Sequence, residues 1–261
     1  MSGSRLLIPA TLLLALLLVA CEGQPGVIDE LVARSPTPDD PAAEAASSED
    51  PSPVAATATP SPAPPTATPN ADGVYIVPCG DIHVPLDKLH RLEEDCAPEG
   101  LVAISEAYAH GLQEVVEQTL PDLLALLEAA VAEGHRLAVV SSYRSFETQR
   151  NTYQYHVDTL GQEEASRVSA RAGHSEHQLG TTVDFSSPAV AYELVEAFGG
   201  TPEGRWLAGN AHEYGFVLSY PQGMEEVTGY VYEPWHFRWV GREMAAEVRA
   251  SGLTLGQFLL R

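Results

Sequence analysis

Positive charge is scarce in this 261-residue chain: 14 Lys and Arg stand against 36 Asp and Glu, a formal net charge of −22. A surface that acidic repels a polyanion, so nucleic acid is excluded as a partner. Cysteine is limited to Cys21, Cys79 and Cys96, and no two of them stand in a C-x-x-C arrangement, which removes the usual cysteine-rich zinc module. The metallopeptidase signatures H-E-x-x-H and H-x-H are both missing, and no repeat period is visible. The apolar stretch Leu12 to Ala20 falls well short of the about 20 residues that a membrane-spanning helix needs.

Proline is plentiful but unevenly placed. Eleven of the 20 prolines lie between Cys21 and Gly73, in a tract with nine acids and a single base, Arg34. Such a Pro/Ala/Thr/Ser/acid composition cannot bury enough apolar surface to offset its chain entropy, so 21–73 is expected to be a disordered linker. Residues 1–20, with Arg5 ahead of the apolar stretch, read as a secretory signal peptide. Leu18-Val19-Ala20-Cys21 resembles a bacterial lipobox, which makes Cys21 the expected lipidated residue. The expected protein is therefore exported and lipid-anchored, on the outer face of the cytoplasmic membrane or in the cell envelope, with the linker as a tether. Residues 74–261 remain as one globular domain, still acidic with 27 acids against 12 bases. Cys79 and Cys96 open this domain, and in an oxidising compartment the even pair is expected to form a disulfide.

Val74 to Leu101 reads as irregular. From Val102 an about 3.6-residue period through Ala103, Ala107, Leu112, Val115 and Val116 predicts a helix. A second helix follows from Thr119, with Pro121 in its first turn and Gly134 at its end. Leu137–Val140, Thr182–Phe185, Phe216–Tyr220 and His236–Val240 read as short strands. Ser145 caps a polar helix through Gln149 and Tyr153, and further helices are expected over Pro188–Phe198, Arg205–Tyr214 and from Arg242. Helices in blocks around few short strands predict an α+β fold with a small, mainly antiparallel sheet and flanking helices.

Chemistry concentrates in Gly173-His174-Ser175-Glu176-His177-Gln178-Leu179-Gly180-Thr181-Thr182-Val183-Asp184-Phe185 and in Tyr232-Glu233-Pro234-Trp235-His236-Phe237. A catalytic zinc takes three protein ligands and keeps one position open. His177, Asp184 and His236 meet that need, with Gly180 supplying the turn that lets His177 and a strand-borne Asp184 converge. Glu233, three residues before His236, is placed to take a proton from water whose pKa zinc lowers toward about 7. His174 is read as a neighbour of the ligand set, and Tyr143 and Trp235 as pocket wall or core.

Ser-x-His-x-x-Gly-x-x-x-Asp at 175–184 followed by Glu-Pro-Trp-His at 233–236 resembles the VanY-type D-alanyl-D-alanine carboxypeptidases. The likeness extends through Ser142-Tyr143-Arg144-Ser145 with Gln149, Asn210 to Phe216, Tyr220 to Gly223 and Thr228 to Tyr230, roughly Leu101 to Gly241. It implies a hedgehog/D,D-peptidase-like fold, one zinc on His177, Asp184 and His236, and Glu233 as catalytic base. It also implies Arg144 at the developing oxyanion, with Ser175 and Gln149 beside the substrate. The implied reaction is zinc-dependent removal of the terminal D-alanine from a peptidoglycan stem peptide by attack of zinc-bound water. A D,D-dipeptidase, an L-alanyl-D-glutamate endopeptidase and a non-catalytic wall-binding lipoprotein are the alternatives. Ala172 stands where the family commonly has proline, Thr182-Val183 where it has smaller residues, and Ser219 where a basic residue precedes Tyr-Pro.

Overall fold

The computed structural model describes residues 68–261. The expected signal peptide 1–20, Cys21 and most of the 21–73 tract lie outside the described residues. In chain order the elements are strands β1 (Tyr75–Ile76), β2 (His90–Arg91), β3 (Leu101–Ala103) and β4 (Glu114–Val116), then helix α1 (Leu120–Ala132) and strand β5 (Ala138–Ser141). Helices α2 (Phe146–Leu160) and α3 (Gln162–Val168) precede β6 (Thr182–Ser186), α4 (Pro202–Asn210) and β7 (Phe216–Leu218). The chain ends with α5 (Glu225–Thr228), β8 (His236–Trp239), α6 (Arg242–Ser251) and α7 (Leu255–Leu259). Among the described residues no helix is long and apolar enough to cross a membrane.

The centre is a four-stranded antiparallel sheet in the order β5-β6-β8-β7. Side chains alternate across a strand, so each strand sorts its residues onto two faces. Val139, Val183, Phe185, Phe216, Phe237 and Trp239 enter the main core with Leu123, Leu126 and Leu127 of α1 and Leu207 of α4. Thr182, Asp184, His236 and Arg238 take the opposite face, yet all of them are buried. That polar face is roofed by the segment between β1 and β3, whose Val77, Val84, Leu86, Leu92 and Cys96 form a second cluster with Leu179. The roof is clamped by a disulfide between Cys79 and Cys96. It is fastened to the sheet by Arg238 Nη2, which donates to the carbonyls of Ile82 (2.7 Å) and Val84 (2.8 Å).

α1 and α2 form as their sequences predict. Pro121 sits in the first turn of α1, and Asp122 beside it accepts hydrogen bonds from Trp239 Nε1 (2.9 Å) and Arg242 Nε (2.7 Å). Ser145 caps α2 by accepting from Thr148 N. Two predicted helices are absent. Residues 101–116 form a hairpin instead, β3 paired antiparallel with β4 through Leu101 and Val116. Gly111 turns there at φ +73°, and the β-branched Val102, Val115 and Val116 fit a pleated surface better than a helix. Pro188–Phe198 resolves into two 3₁₀ turns, because Ala191 and Tyr192 between them both adopt positive φ, which no helix allows. α3 escaped the sequence reading, and the parallel pair of β1 and β2 lies within the stretch expected to be irregular.

Replacing both Cys79 and Cys96 with Ser should lower the unfolding free energy by about 3 kcal/mol, the loop-entropy value for a short closed loop. Urea denaturation of the variant and the wild type would measure it; equal midpoints would show that the roof holds without its clamp.

Candidate active site

Three elements of the polar face converge on one point. Asp184 stands at the middle of β6, and the antiparallel register sets it directly opposite His236, the first residue of β8. His177 arrives from the 3₁₀ turn Glu176–Leu179, which ends at Gly180 in the left-handed conformation (φ +72°). A Cβ on Gly180 would come within 3.0 Å of Val116 Cγ1 and 3.1 Å of Pro98 Cγ, so this turn needs glycine for both its dihedral and its space. One ligand atom from each of His177, Asp184 and His236 lies within 4.8 Å of the others, and all three residues are buried.

The tautomers follow from hydrogen bonding. His177 Nδ1 lies 2.6 Å from the carbonyl of Ser142, which can only accept, so Nδ1 carries the proton and Nε2 turns its lone pair toward Asp184 Oδ2, 3.3 Å away. His236 is held the other way round. Its Nε2 lies 2.9 Å from Glu176 Oε2, leaving Nδ1 to face Asp184 Oδ1 at 3.2 Å and Glu233 Oε2 at 3.5 Å. Asp184 Oδ1 is buried and has no hydrogen-bond donor among the described residues.

Burial works against ionisation of Asp184, but the two imidazoles outweigh it and hold the carboxyl well below its usual range. Burial likewise opposes charge on His236, yet Asp184, Glu176 and Glu233 push it up to about 10. The surroundings therefore favour positive charge at this point, and a divalent cation answers the same field while displacing the proton. Two imidazole nitrogens and one orphaned carboxylate oxygen are a donor set that fits zinc.

Glu233 is pushed up to about 7, chiefly by burial, with His236 pulling it down and Asp184 adding to the rise. Its backbone N–H donates to the carbonyl of Tyr220 (3.1 Å), and its own carbonyl accepts from His236 N (3.1 Å), so Glu233 and His236 share one turn. Arg144 follows β5. Its backbone N–H donates to the carbonyl of His177 (3.1 Å), while the guanidinium donates to Ser141 Oγ (2.9 Å) and Gln149 Oε1 (2.8 Å) and lies 3.9 Å from Asp184 Oδ2. Gln149, fully buried on α2, passes its other end to the carbonyl of Ala170 (2.7 Å). Arg144, Gln149, Ser175, Glu233 and the three candidate ligands all line one cleft of about 570 Å³, which Tyr220, Tyr230 and Trp235 help to wall. His174 faces away from the ligand cluster, its Nδ1 2.7 Å from the carbonyl of Asp87. Tyr143 is not among the residues lining the cleft.

Two residues that sequence reasoning passed over support this cluster. Glu176, inside the quoted motif, accepts from Ser219 Oγ (2.6 Å) and Arg238 Nη1 (3.0 Å) besides touching His236. Burial opposes ionisation of Glu176, but Arg238 and then His236 overcome it and hold the carboxyl at about 2, with Ser219 contributing least. The serine at position 219 therefore costs Glu176 no counter-charge, because the fully buried Arg238 supplies it. Alternation along β8 was the available signal: His236 and Arg238 share a face, and a charge on a buried face calls for a partner.

A buried 2-His-1-carboxylate set beside a carboxyl poised near neutrality and a guanidinium, all on one cleft, has the composition of a mononuclear zinc hydrolase centre. Residues 112–242 match the family model VanY, D-alanyl-D-alanine carboxypeptidase, and the chain belongs to that family. It is 42% identical over 177 residues to YodJ of Bacillus subtilis (strain 168), covering 66% of this chain and 65% of YodJ. The chain thus spans just under two thirds of that relative's length. Among solved structures it is similar to the LD-carboxypeptidase LdcB, with a TM-score of 0.68 and 34% identity over 72% of this chain and 91% of LdcB. It is also similar to a vancomycin-resistance D,D-pentapeptidase VanY solved in complex with Zn(II), with a TM-score of 0.58 and 28% identity over 69% of this chain and 98% of that one.

Glu176→Gln keeps the side-chain shape but leaves Arg238 buried without its counter-charge and weakens the hold on His236. The expected result is a 10- to 100-fold, order-of-magnitude loss of zinc affinity in a chelator competition, together with about 3 kcal/mol less stability. Unchanged affinity would mean that His236 is oriented by the strand alone.

Proposed function

We propose that this protein is a zinc-dependent carboxypeptidase that removes the C-terminal D-alanine from peptidoglycan stem peptides, with D,D specificity. The observation that carries this reading is the convergence of His177, Asp184 and His236 with Glu233 and Arg144 on a single cleft. Zinc would be held by His177 Nε2, Asp184 and His236 Nδ1, where it would supply Lewis acidity toward the carbonyl and lower the pKa of water. The chain's own groups do the rest. Glu233, near 7, accepts a proton from the attacking water and returns it to the leaving amine of D-alanine. Arg144, pre-set by Ser141 and Gln149, presents its guanidinium to the oxygen of the scissile carbonyl, where negative charge grows only in the transition state. Gln149 acts here mainly by positioning Arg144, and Ser175 forms part of the substrate wall.

A non-catalytic wall-binding role needs neither a base nor an oxyanion donor, so Glu233 and Arg144 beside the candidate ligands favour the catalytic reading. The likeness to LdcB favours one second reading, an L,D-carboxypeptidase that releases D-alanine from the tetrapeptide stem. Mass analysis of products from pentapeptide, tetrapeptide and free D-alanyl-D-alanine separates the two and also detects a dipeptidase. An endopeptidase would instead cut between the first two stem residues. Release of no terminal alanine from either stem would overturn the carboxypeptidase reading.

We also propose export with a lipid anchor at Cys21, supported by the Leu-Val-Ala-Cys sequence after an apolar stretch. A Cys21→Ser protein should then lose lipid labelling and leave the membrane fraction. Glu233→Gln should retain zinc while kcat falls by about 10² to 10⁴, the usual worth of a positioned base. Metal analysis beside steady-state kinetics measures both, and undiminished turnover would remove Glu233 from the chemistry.

A further inference from the structure

Beside the main cleft lies a second pocket of about 150 Å³, lined by Lys88, Arg171, His174, Tyr153, Ser169 and Tyr230. Ser169 and Tyr230 also line the cleft, so the two cavities share a wall. Lys88 is the chain's only lysine, and it comes from the roof segment, upstream of the family match. Its Nζ sits over the Tyr230 ring, 3.2 Å from the centroid, and donates to the carbonyl of Ser166. Arg171 Nη2 donates to the Lys88 carbonyl (3.2 Å), which draws the second cation to the same place. The acid nearest in sequence, Asp87, is occupied elsewhere: its Oδ1 accepts from the backbone of Leu89 and His90 and lies 2.9 Å from His90 Nδ1. Burial, and then the proximity of Arg171, lower Lys88 to about 8, against the opposing pull of Glu233 and Asp87. Lys88 and Arg171 are two adjacent cations that an incoming anion would join.

Arg144 is the only Lys or Arg among the residues lining the cleft itself. One glutamine side chain separates it from the second pocket: Gln149 accepts from Arg144 at one end and reaches Ser169 Oγ (3.4 Å) at the other. One residue of peptide spans about 3.8 Å between Cα atoms, and the terminal carboxylate lies one residue beyond the scissile carbonyl.

We propose that this pocket is a carboxylate-recognition subsite in which Lys88 and Arg171 receive a carboxylate of the substrate peptide. The proposal rests on the peptidase reading above. The carboxylate can come from the peptide C-terminus or from a diaminopimelate side chain in the stem. A charge-assisted hydrogen bond predicts that Lys88→Met raises KM about 10- to 100-fold, with kcat moving less, and that Lys88→Arg restores most of the loss. Kinetics on a stem pentapeptide and its C-terminal amide, each with lysine or diaminopimelate in the stem, identify the source. A terminal carboxylate makes the variant lose the preference for acid over amide, whereas a side-chain carboxylate makes it lose the preference for diaminopimelate over lysine. If both preferences survive in a Lys88→Met protein with wild-type melting temperature, the subsite is refuted. Should that variant fail to fold, Arg171→Gln at an exposed position carries the same comparison.

A readout independent of turnover keeps the two readings apart. Acetylation of the single lysine by acetic anhydride, followed by mass spectrometry, should slow when D-alanyl-D-alanine or diaminopimelate is added to Glu233→Gln protein, and should not slow with the corresponding amides. Equal labelling with and without every one of these ligands refutes the subsite. Protection without hydrolysis by the wild type supports the subsite and strikes only the peptidase reading.

Discussion

Buried negative charge is the constraint around which this domain is arranged. Asp184, Glu176 and Glu233 are all withdrawn from water within one cluster, in a chain that already carries a large excess of acids. An isolated carboxylate in such a place would take up a proton, so each needs a distinct compensation. Glu176 has Arg238. Asp184 has two imidazoles and, when bound, a metal ion. Glu233 is compensated least, which leaves it close to neutrality, as its proposed role as general base requires.

The sheet makes those assignments possible. Because β6 and β8 are antiparallel and in register at Asp184 and His236, two donors from distant parts of the sequence meet with no loop conformation to hold them. Alternation then sends Val183, Phe185, Phe237 and Trp239 to the core on the other face, so the apolar packing that stabilises the strands also fixes the polar side. The roof between β1 and β3 completes the enclosure. Its backbone carbonyls accept from Arg238, Gln178 and His174, and it thereby dries the far side of the ligand shell without contributing a ligand.

What the sequence revealed depended on how local each signal is. Strands β5, β6 and β8 and helices α1 and α2 announce themselves through short apolar runs, Pro121 and the cap Ser145, all within a few residues. The candidate ligands were legible because His177, Gly180 and Asp184 sit in one stretch and Glu233 and His236 in another. The hairpin at 101–116 was misread because apolar residues three and four apart also occur by chance in two strands with a long turn. The run 188–198 was misread because nothing in Ala191-Tyr192 announces a left-handed backbone. Arg238 and Lys88 stayed hidden for another reason: their roles depend on partners 62 residues away in Glu176 and 83 residues away in Arg171.

Charge placement also bears on how so acidic an enzyme would meet a peptide that itself carries carboxylates. At physiological ionic strength the Debye length is about 8 Å, so repulsion from exposed carboxylates is largely spent before a peptide reaches the cleft. What acts inside is the local arrangement. In the proposed mode of binding Arg144 faces the scissile carbonyl, and Lys88 and Arg171 line the neighbouring pocket, Lys88 against the Tyr230 ring. Positive charge gathered at two neighbouring points would do more than raise affinity: it would give a short peptide a direction. In the proposed reading the end carrying a carboxylate is drawn toward the second pocket, and Glu196 on the cleft wall suits the ammonium groups of the stem. The scarcity of basic residues elsewhere is then part of that selectivity, because few competing sites remain to hold the peptide the wrong way round.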